Sequence, residues 1–436
     1  MLRLGFLRVL PSDSALSARL WRIAILSVIV AAALAAGCGG DEDGEAERAP
    51  TPTGQSSEEV IRVGVGAPIV VGVSSALTGP VGERGTEYRD AVILGVQRWR
   101  EANGDTILDH PIEVYSEDDG CTESDQTAVA ARRLLGTPGL VGVAGPQCSA
   151  GAAAVIPTYA DAGVVAISGS ATATALTSEQ PVGGYFFRTA FRNDLQGNVV
   201  GDFVAETLSA QTVFLVDNGE TYGQDLAAST ERFLVRNGIA VTRDTAPQRT
   251  VDFSELARTI AAADPDAVGY AGFNPDAALF YRQLRDVGYG GAFGSFDAAA
   301  SASEFVAPLG EIAEGVYFSG CAIELPEDFR SAFSEIHGGP PAAAFNGQYA
   351  DAVRVLLDAV AVSATQNPDD SLTIDRAELR DAVRATTITD GRTGAISFDA
   401  NGDRASERAE PADQASDFGL IGCQVEGSEL VQIQGQ

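Results

Sequence analysis

Apolar and polar positions switch between two periods along most of this chain. Short β-branched runs alternate with stretches where apolar residues recur at helical spacing. The runs 69–73, 112–115, 140–144 and 164–167 predict buried strands, and 88–102, 125–135 and 149–162 predict helices among them. The scheme returns with strands over 213–216, 240–242, 267–270 and 292–296, and helices over 222–236, 253–263 and 275–287. Three helix-to-strand joints carry a glycine, Gly163, Gly238 and Gly288, where a left-handed residue would end the helix. Such alternation predicts parallel sheets with helices on both faces. The joints have no fixed period, which argues against a solenoid. From residue 315 the order changes. A strand over 315–319 precedes three helices, over 326–336, 343–364 and 375–385, and two late strands over 418–425 and 430–433. The expected fold class is α/β, in two halves between which the chain crosses more than once.

The run 164–167 ends in Ser168-Gly169-Ser170-Ala171-Thr172. Small and hydroxyl-bearing residues at the carboxyl end of a parallel strand leave backbone open to a ligand, and ligands of open α/β sheets sit there. Such hydroxyls, with the amides of a following helix start, suit a carboxylate. Ser149 begins a helix after another strand, where it is also a good cap. Asp297 follows the run 292–296, where it is either a cap before three alanines or a carboxylate at a strand end.

Length and composition narrow the picture. The 436 residues suffice for two or more domains, and 45% are apolar, so a large core is available. The formal charge is −31, and every basic residue is Arg. Nucleic acid is a poor partner for such a chain, because phosphate contacts need basic clusters. Net charge does not make the ligand cationic. The only histidines, His110 and His337, lie far apart, which speaks against a His-rich zinc site or a His-based triad. Enzyme motifs fail as well. Ser149 lies in Gln147-Cys148-Ser149-Ala150-Gly151, not a nucleophile elbow. Gly64-Val65-Gly66 lacks the third glycine of a dinucleotide loop. Residues 399–403 have glycine at the fourth place, not the sixth of a calcium loop. No enzyme activity, cofactor or metal is expected.

Arg3, Arg8, Arg19 and Arg22 precede the apolar run 23–36, which closes on Ala35-Ala36-Gly37-Cys38. That describes a secretory signal over residues 1–37, too short for a comfortable span. Leu34-Ala35-Ala36-Gly37-Cys38 resembles a bacterial lipobox, which implies lipidation at Cys38 and an extracytoplasmic protein anchored to the cell membrane. The leucine stands one place earlier than usual, and an ordinary cleaved signal is the alternative. Residues 38–59 are acidic and rich in Gly and Pro, and read as a disordered tether reaching roughly 25 Å. With Cys38 set aside, Cys121, Cys148, Cys321 and Cys423 allow three pairings.

From about residue 69 to 433 the chain resembles the leucine/isoleucine/valine-binding protein family, type I periplasmic substrate-binding proteins of ABC importers. The matching blocks are Leu77-Thr78-Gly79-Pro80, Glu117-Asp118-Asp119-Gly120-Cys121, Gly145-Pro146-Gln147-Cys148-Ser149 and 168–177. They continue with Phe187-Arg188-Thr189, Asp217 with Tyr222-Gly223-Gln224, Asp252-Phe253, Pro265-Asp266 and Phe398-Asp399-Ala400-Asn401-Gly402-Asp403. Each block is weak alone, and their order is specific. The resemblance implies two lobes, each a mainly parallel sheet flanked by helices, joined by three crossovers near Thr189, Ser319 and Arg404. It assigns 60–188 and 320–404 to lobe one, and 189–319 and 405–436 to lobe two.

It also implies a site. Ser149 and the loop residues Ser170, Ala171 and Thr172 would hold a ligand's carboxylate and ammonium. Asp297 would pair with the ammonium from the facing lobe, and Tyr222 and Phe273 would cover the ligand, or else pack the core. Phe273 stands where branched-chain binders carry Tyr. Arg84 departs most, replacing an aromatic residue. It would suit a polar or acidic ligand, face solvent, or pair with Glu83 or Glu87. A Cys121–Cys148 disulfide is implied, which leaves Cys321 for Cys423 in an oxidising compartment. The expected function is capture of an amino acid or related small polar ligand in the interlobe cleft and its delivery to an ABC permease. A ligand-sensing module of the same fold, acting with a separate signalling partner, is the alternative. A hydrolase or amidase is disfavoured by the missing nucleophile.

Overall fold

The computed structural model describes residues 59–178, 184–406, 417–418 and 420–433. The expected signal peptide, Cys38 and all but the last residue of the tether lie outside the described residues.

Two sheets organise the rest. The first has six strands in the order Thr106–Ile107, His110–Asp118, Ile69–Ser75, Leu140–Ala144, Val165–Ser168, Phe186–Arg188. Its neighbours are parallel except for the first pair. The second has seven, in the order Glu429–Gln432, Gly422–Glu426, Tyr317–Ser319, Ala292–Ser295, Ala267–Ala271, Thr212–Asp217, Ala240–Thr245. Five of these are parallel, and the two late strands add antiparallel. The inner strands Ile69–Ser75, Leu140–Ala144 and Val165–Ser168 are buried at every position. Continuous β-branched runs form such strands because helices cover both faces. The edge strand Ala240–Thr245 instead carries Arg243 and Asp244 and stays partly exposed, which blunts pairing with other chains.

In each sheet the leading strand lies between the second and third. Strand order therefore reverses beside Ile69–Ser75 and beside Thr212–Asp217. Loops diverge at such points and leave a crevice at the carboxyl ends. Helices Glu327–His337 and Asn346–Ser363 pack on helix Gly82–Asn103, so Tyr349, Val353 and Leu356 join the same core as Val71, Val92 and Ile167. The architecture is two-lobed. The chain crosses from the first sheet to the second between Phe186–Arg188 and Thr212–Asp217, back to helices packed on Gly82–Asn103 after Tyr317–Ser319, and once more to the second sheet before Gly422–Glu426. The first and third crossings are tied together. Arg188 N donates to Gly402 O at 3.0 Å, and Arg188 Nε to Asp403 at 2.5 Å. The glycines at the three joints have φ of 63°, 80° and 88°, as their place after a helix requires.

The pattern reading missed several elements. Helix Asn193–Asp202 and its π-helical continuation Phe203–Thr207 follow the first crossing. A three-stranded sheet joins Val60–Val63, Leu372–Asp375 and Ala364–Gln366. The late strand starts at Gly422 rather than 418. No helix begins at Asp297, so the capping alternative there fails; the next helical turn, Ala302–Val306, is capped by Ser301.

Candidate ligand-binding site

Asp119 and the disulfide shape the first wall. Asp119 is fully buried and accepts from Cys121 N at 2.9 Å, Gln147 N at 3.1 Å and Ser74 Oγ at 3.1 Å. Burial pushes its carboxyl up, and those donors offset only part of the cost. Cys121 is bonded to Cys148 with Cα atoms 4.9 Å apart. Together they fix the turn Gln147-Cys148-Ser149 across the switch point. Cys321 is bonded to Cys423 on the second sheet, Cα atoms 6.2 Å apart.

The loop 168–172 is organised by its own hydroxyls. Ser168 Oγ accepts from Ala171 N at 2.9 Å and donates to Pro146 O at 2.7 Å. Ser149, the first residue of helix Ser149–Asp161, accepts from Ala173 N at 3.1 Å. Ser170 Oγ donates to Gln147 O at 2.7 Å and lies 2.9 Å from Tyr349 OH. Ala171 and Thr172 are fully buried behind this rim. The Ala171 amide is used within the loop, and Thr172 Oγ1 is buried without a hydrogen-bond partner.

Opposite stands Asp297, 4% exposed. Its Oδ1 accepts from Gln196 Nε2 at 2.6 Å and Tyr222 OH at 2.7 Å. Burial raises its carboxyl, against the pull of Gln196, Tyr222 and Arg84. Tyr222 is driven far above the ordinary phenol range, chiefly by burial and then by Asp297, so it stays a donor. Its ring lies 5.2 Å from that of Phe273.

One cavity gathers Arg84, Ser149, Ser170, Tyr222, Phe273 and Asp297 from the two lobes. Its volume is about 30 Å³, space on the order of one or two waters. Ala171 and Thr172 do not line it. Gln147, Val81, Tyr88, Ala298 and Phe345 do. Gln147 was legible as part of a block but not as a wall. Tyr88 and Phe345 carried no signal, because their meeting depends on helix Asn346–Ser363 folding back beneath the first lobe; Tyr88 stacks on Tyr349 at 4.6 Å. Gln196 lies on the helix the pattern missed. Arg84 pairs neither with Glu83 nor with Glu87. It crosses the cleft to Glu304 at 3.1 Å, while Glu87 accepts from Ala342 N, Ala343 N and Asn346 Nδ2. Lobe contacts continue at the rim with Thr122 to Gln248 at 3.1 Å and Arg249 to Glu123 at 2.5 Å.

A family model described as periplasmic binding protein matches residues 68–412. The chain belongs to that family. This binding protein is 31% identical over 232 residues to an amino acid binding protein of Pseudomonas aeruginosa, covering 53% of this chain and 61% of that one. It is 26% identical over 347 residues to a leucine-, isoleucine-, valine-, threonine- and alanine-binding protein of the same organism, covering 77% and 87%. Among solved structures it is similar to a leucine binding protein from Thermotoga maritima, with TM-score 0.71 and 22% identity over 84% of this chain and 97% of that one. A solute binding protein of R. palustris in complex with 4-hydroxybenzoate has TM-score 0.68 at 19% identity, covering 84% and 95%. The binding protein's family is one of extracytoplasmic solute binders, not enzymes. Among the described residues no helix is long and apolar enough to cross a membrane.

Proposed function

We propose that this binding protein captures an amino acid or related small polar ligand between its lobes and delivers it to an ABC permease. The observation that carries the reading is Asp297, a buried carboxylate that shares one cavity with Ser149 and Ser170 across the cleft. The ligand ammonium pairs with Asp297. Its carboxylate lies at the start of helix Ser149–Asp161, with the orphaned Thr172 hydroxyl close behind in the same loop. Tyr222 and Phe273 close over it from the second lobe. Contacts to both lobes favour the closed arrangement. The two Pseudomonas aeruginosa relatives are both named for amino-acid binding, which supports the same ligand class. We further assign residues 60–188 with 320–404 and 189–319 with 405–436 to the two lobes, and Cys38 to a lipid anchor outside the cytoplasm.

Differential scanning fluorimetry with the L-amino acids and their deaminated analogues tests the reading. A true ligand at 100 times its Kd adds about 2.7 kcal/mol of stability, and the analogue lacking the ammonium adds much less. No shift with any amino acid, or turnover of a ligand, would remove it.

A further inference from the structure

The Arg84–Glu304 pair bears on which amino acid the site takes, an inference that rests on the reading above. Arg84 lines the cavity with Ser149, Ser170 and Asp297. Its side chain is 13% exposed. Among the described residues Glu304 is its one hydrogen-bond partner, reached by Nη2 alone. A guanidinium has five N–H donors in a fork that matches a carboxylate, so most of this fork is unspent.

The two partners are not equally fixed. Arg84 stands in the first turn of helix Gly82–Asn103. That turn is clamped: Ser75 Oγ donates to Gly85 O at 3.1 Å, and a Cβ on Gly85 would collide with the Ala76 carbonyl oxygen. Glu304 belongs to the other lobe, on the single turn Ala302–Val306, and its side chain is 27% exposed. It does not line the cavity, and Arg84 is its one ion-pair partner among the described residues. The cation is therefore held in place, and the anion can withdraw into water at little cost.

With the bridge made, the cavity is about 30 Å³, too little for an amino-acid side chain beside it. A ligand needs the lobes to part, which opens the Arg84–Glu304 bridge that spans them. An aliphatic side chain held against Arg84 would leave it shielded from water with only Asp297, already paired with the ligand ammonium, as counter-charge, which is costly. A carboxylate would restore the pair and engage more of the fork.

We propose that Arg84 determines specificity and that Glu304 holds the place of a second ligand carboxylate, so the site prefers a dicarboxylic amino acid over an aliphatic one. The α-ammonium pairs with Asp297, the α-carboxylate lies at Ser149, and the side-chain carboxylate takes Arg84 from Glu304.

Isothermal titration of wild type, R84M, R84K and E304Q with L-glutamate, L-aspartate, L-glutamine and L-leucine tests this, with circular dichroism melts to check folding. Wild type binds one of the two dicarboxylates roughly ten- to a hundredfold tighter than leucine. R84M reverses that preference, dicarboxylate binding weakening at least tenfold and leucine binding tightening because no shielded cation remains, and R84K is intermediate because it keeps charge without the fork. E304Q removes the competing anion, and dicarboxylate binding tightens severalfold. Two outcomes overturn the proposal while amino-acid capture stands. One is tighter wild-type binding of leucine than of either dicarboxylate. The other is an equal loss for every ligand in both R84M and E304Q, which would make the pair an unselective latch. Failure of all four amino acids to bind wild type removes this proposal and counts against amino-acid capture itself.

Discussion

At the residue scale, Asp297 shows how surroundings set chemistry. Burial raises its carboxyl, and two donors and Arg84 offset part of that. A group raised in the folded state contributes stability that is full below its unfolded value, about 3.9, and is lost as pH rises through the folded value. The stability of the free protein therefore falls as pH rises above the unfolded value, because ionising Asp297 in the fold is costly. Gln196 and Tyr222 both donate to the same oxygen, Oδ1, so asparagine keeps both bonds without the charge. D297N is expected to melt at or above the wild-type temperature at pH 7, with the gap closing toward pH 4. Melts across that range measure it, and a clearly less stable D297N at neutral pH would refute the account. The same variant binds amino acids roughly ten- to a hundredfold more weakly, because the ammonium loses its partner.

At the element scale, helix Asn193–Asp202 explains why periodicity failed. Its sequence, NDLQGNVVGD, holds two glycines and no wide apolar stripe. Propensity alone discourages a helix there. Tertiary packing decides otherwise, because helix Thr221–Arg236 lies so close that a Cβ on Gly197 would press on Thr230 N and one on Gly201 would enter the Phe233 ring. Propensity favours alanine over glycine by about 1 kcal/mol. Packing reverses the sign, and G201A is expected to destabilise by about 1–3 kcal/mol, read from denaturant midpoints. A stabilised G201A would mean the helices part at no cost. The strands were easier to read, since a buried parallel strand announces itself by continuous β-branched residues and its end by a loop of small ones. The late strands and the three-stranded sheet were not, because short antiparallel segments take their identity from partners far along the chain.

For the whole molecule, the crossings matter most. Arg188 is fully buried and Asp403 nearly so, and Asp403 also accepts from Thr177 Oγ1 at 2.9 Å and Arg192 at 3.1 Å. Burial alone would raise Asp403, but Arg188 and Arg192 outweigh it and hold it below the usual range. A depressed carboxyl contributes stability above its unfolded pKa and loses it as pH falls through the folded value. D403N strands Arg188 without a counter-charge, and a loss of about 3–5 kcal/mol is expected. Chemical denaturation at pH 7 checks it. The rim pair Arg249–Glu123 is half exposed or more on both sides, so its loss is worth at most about 1 kcal/mol.

By itself the sequence determined the strand–helix order, the loops that end strands, the acidic character and the chemistry available at Ser149, Ser170 and Asp297. These are local matters: side-chain period, turn residues and charge are set by neighbours in the chain. Only the tertiary structure decided which loops share a cavity, that Ala171 and Thr172 sit behind it, that Tyr88 and Phe345 wall it, and that Arg84 spans the cleft to Glu304. Arg84 and Glu304 alone are 220 residues apart in the chain. Such pairings follow from how two sheets and three crossings close on one another, which no local pattern encodes.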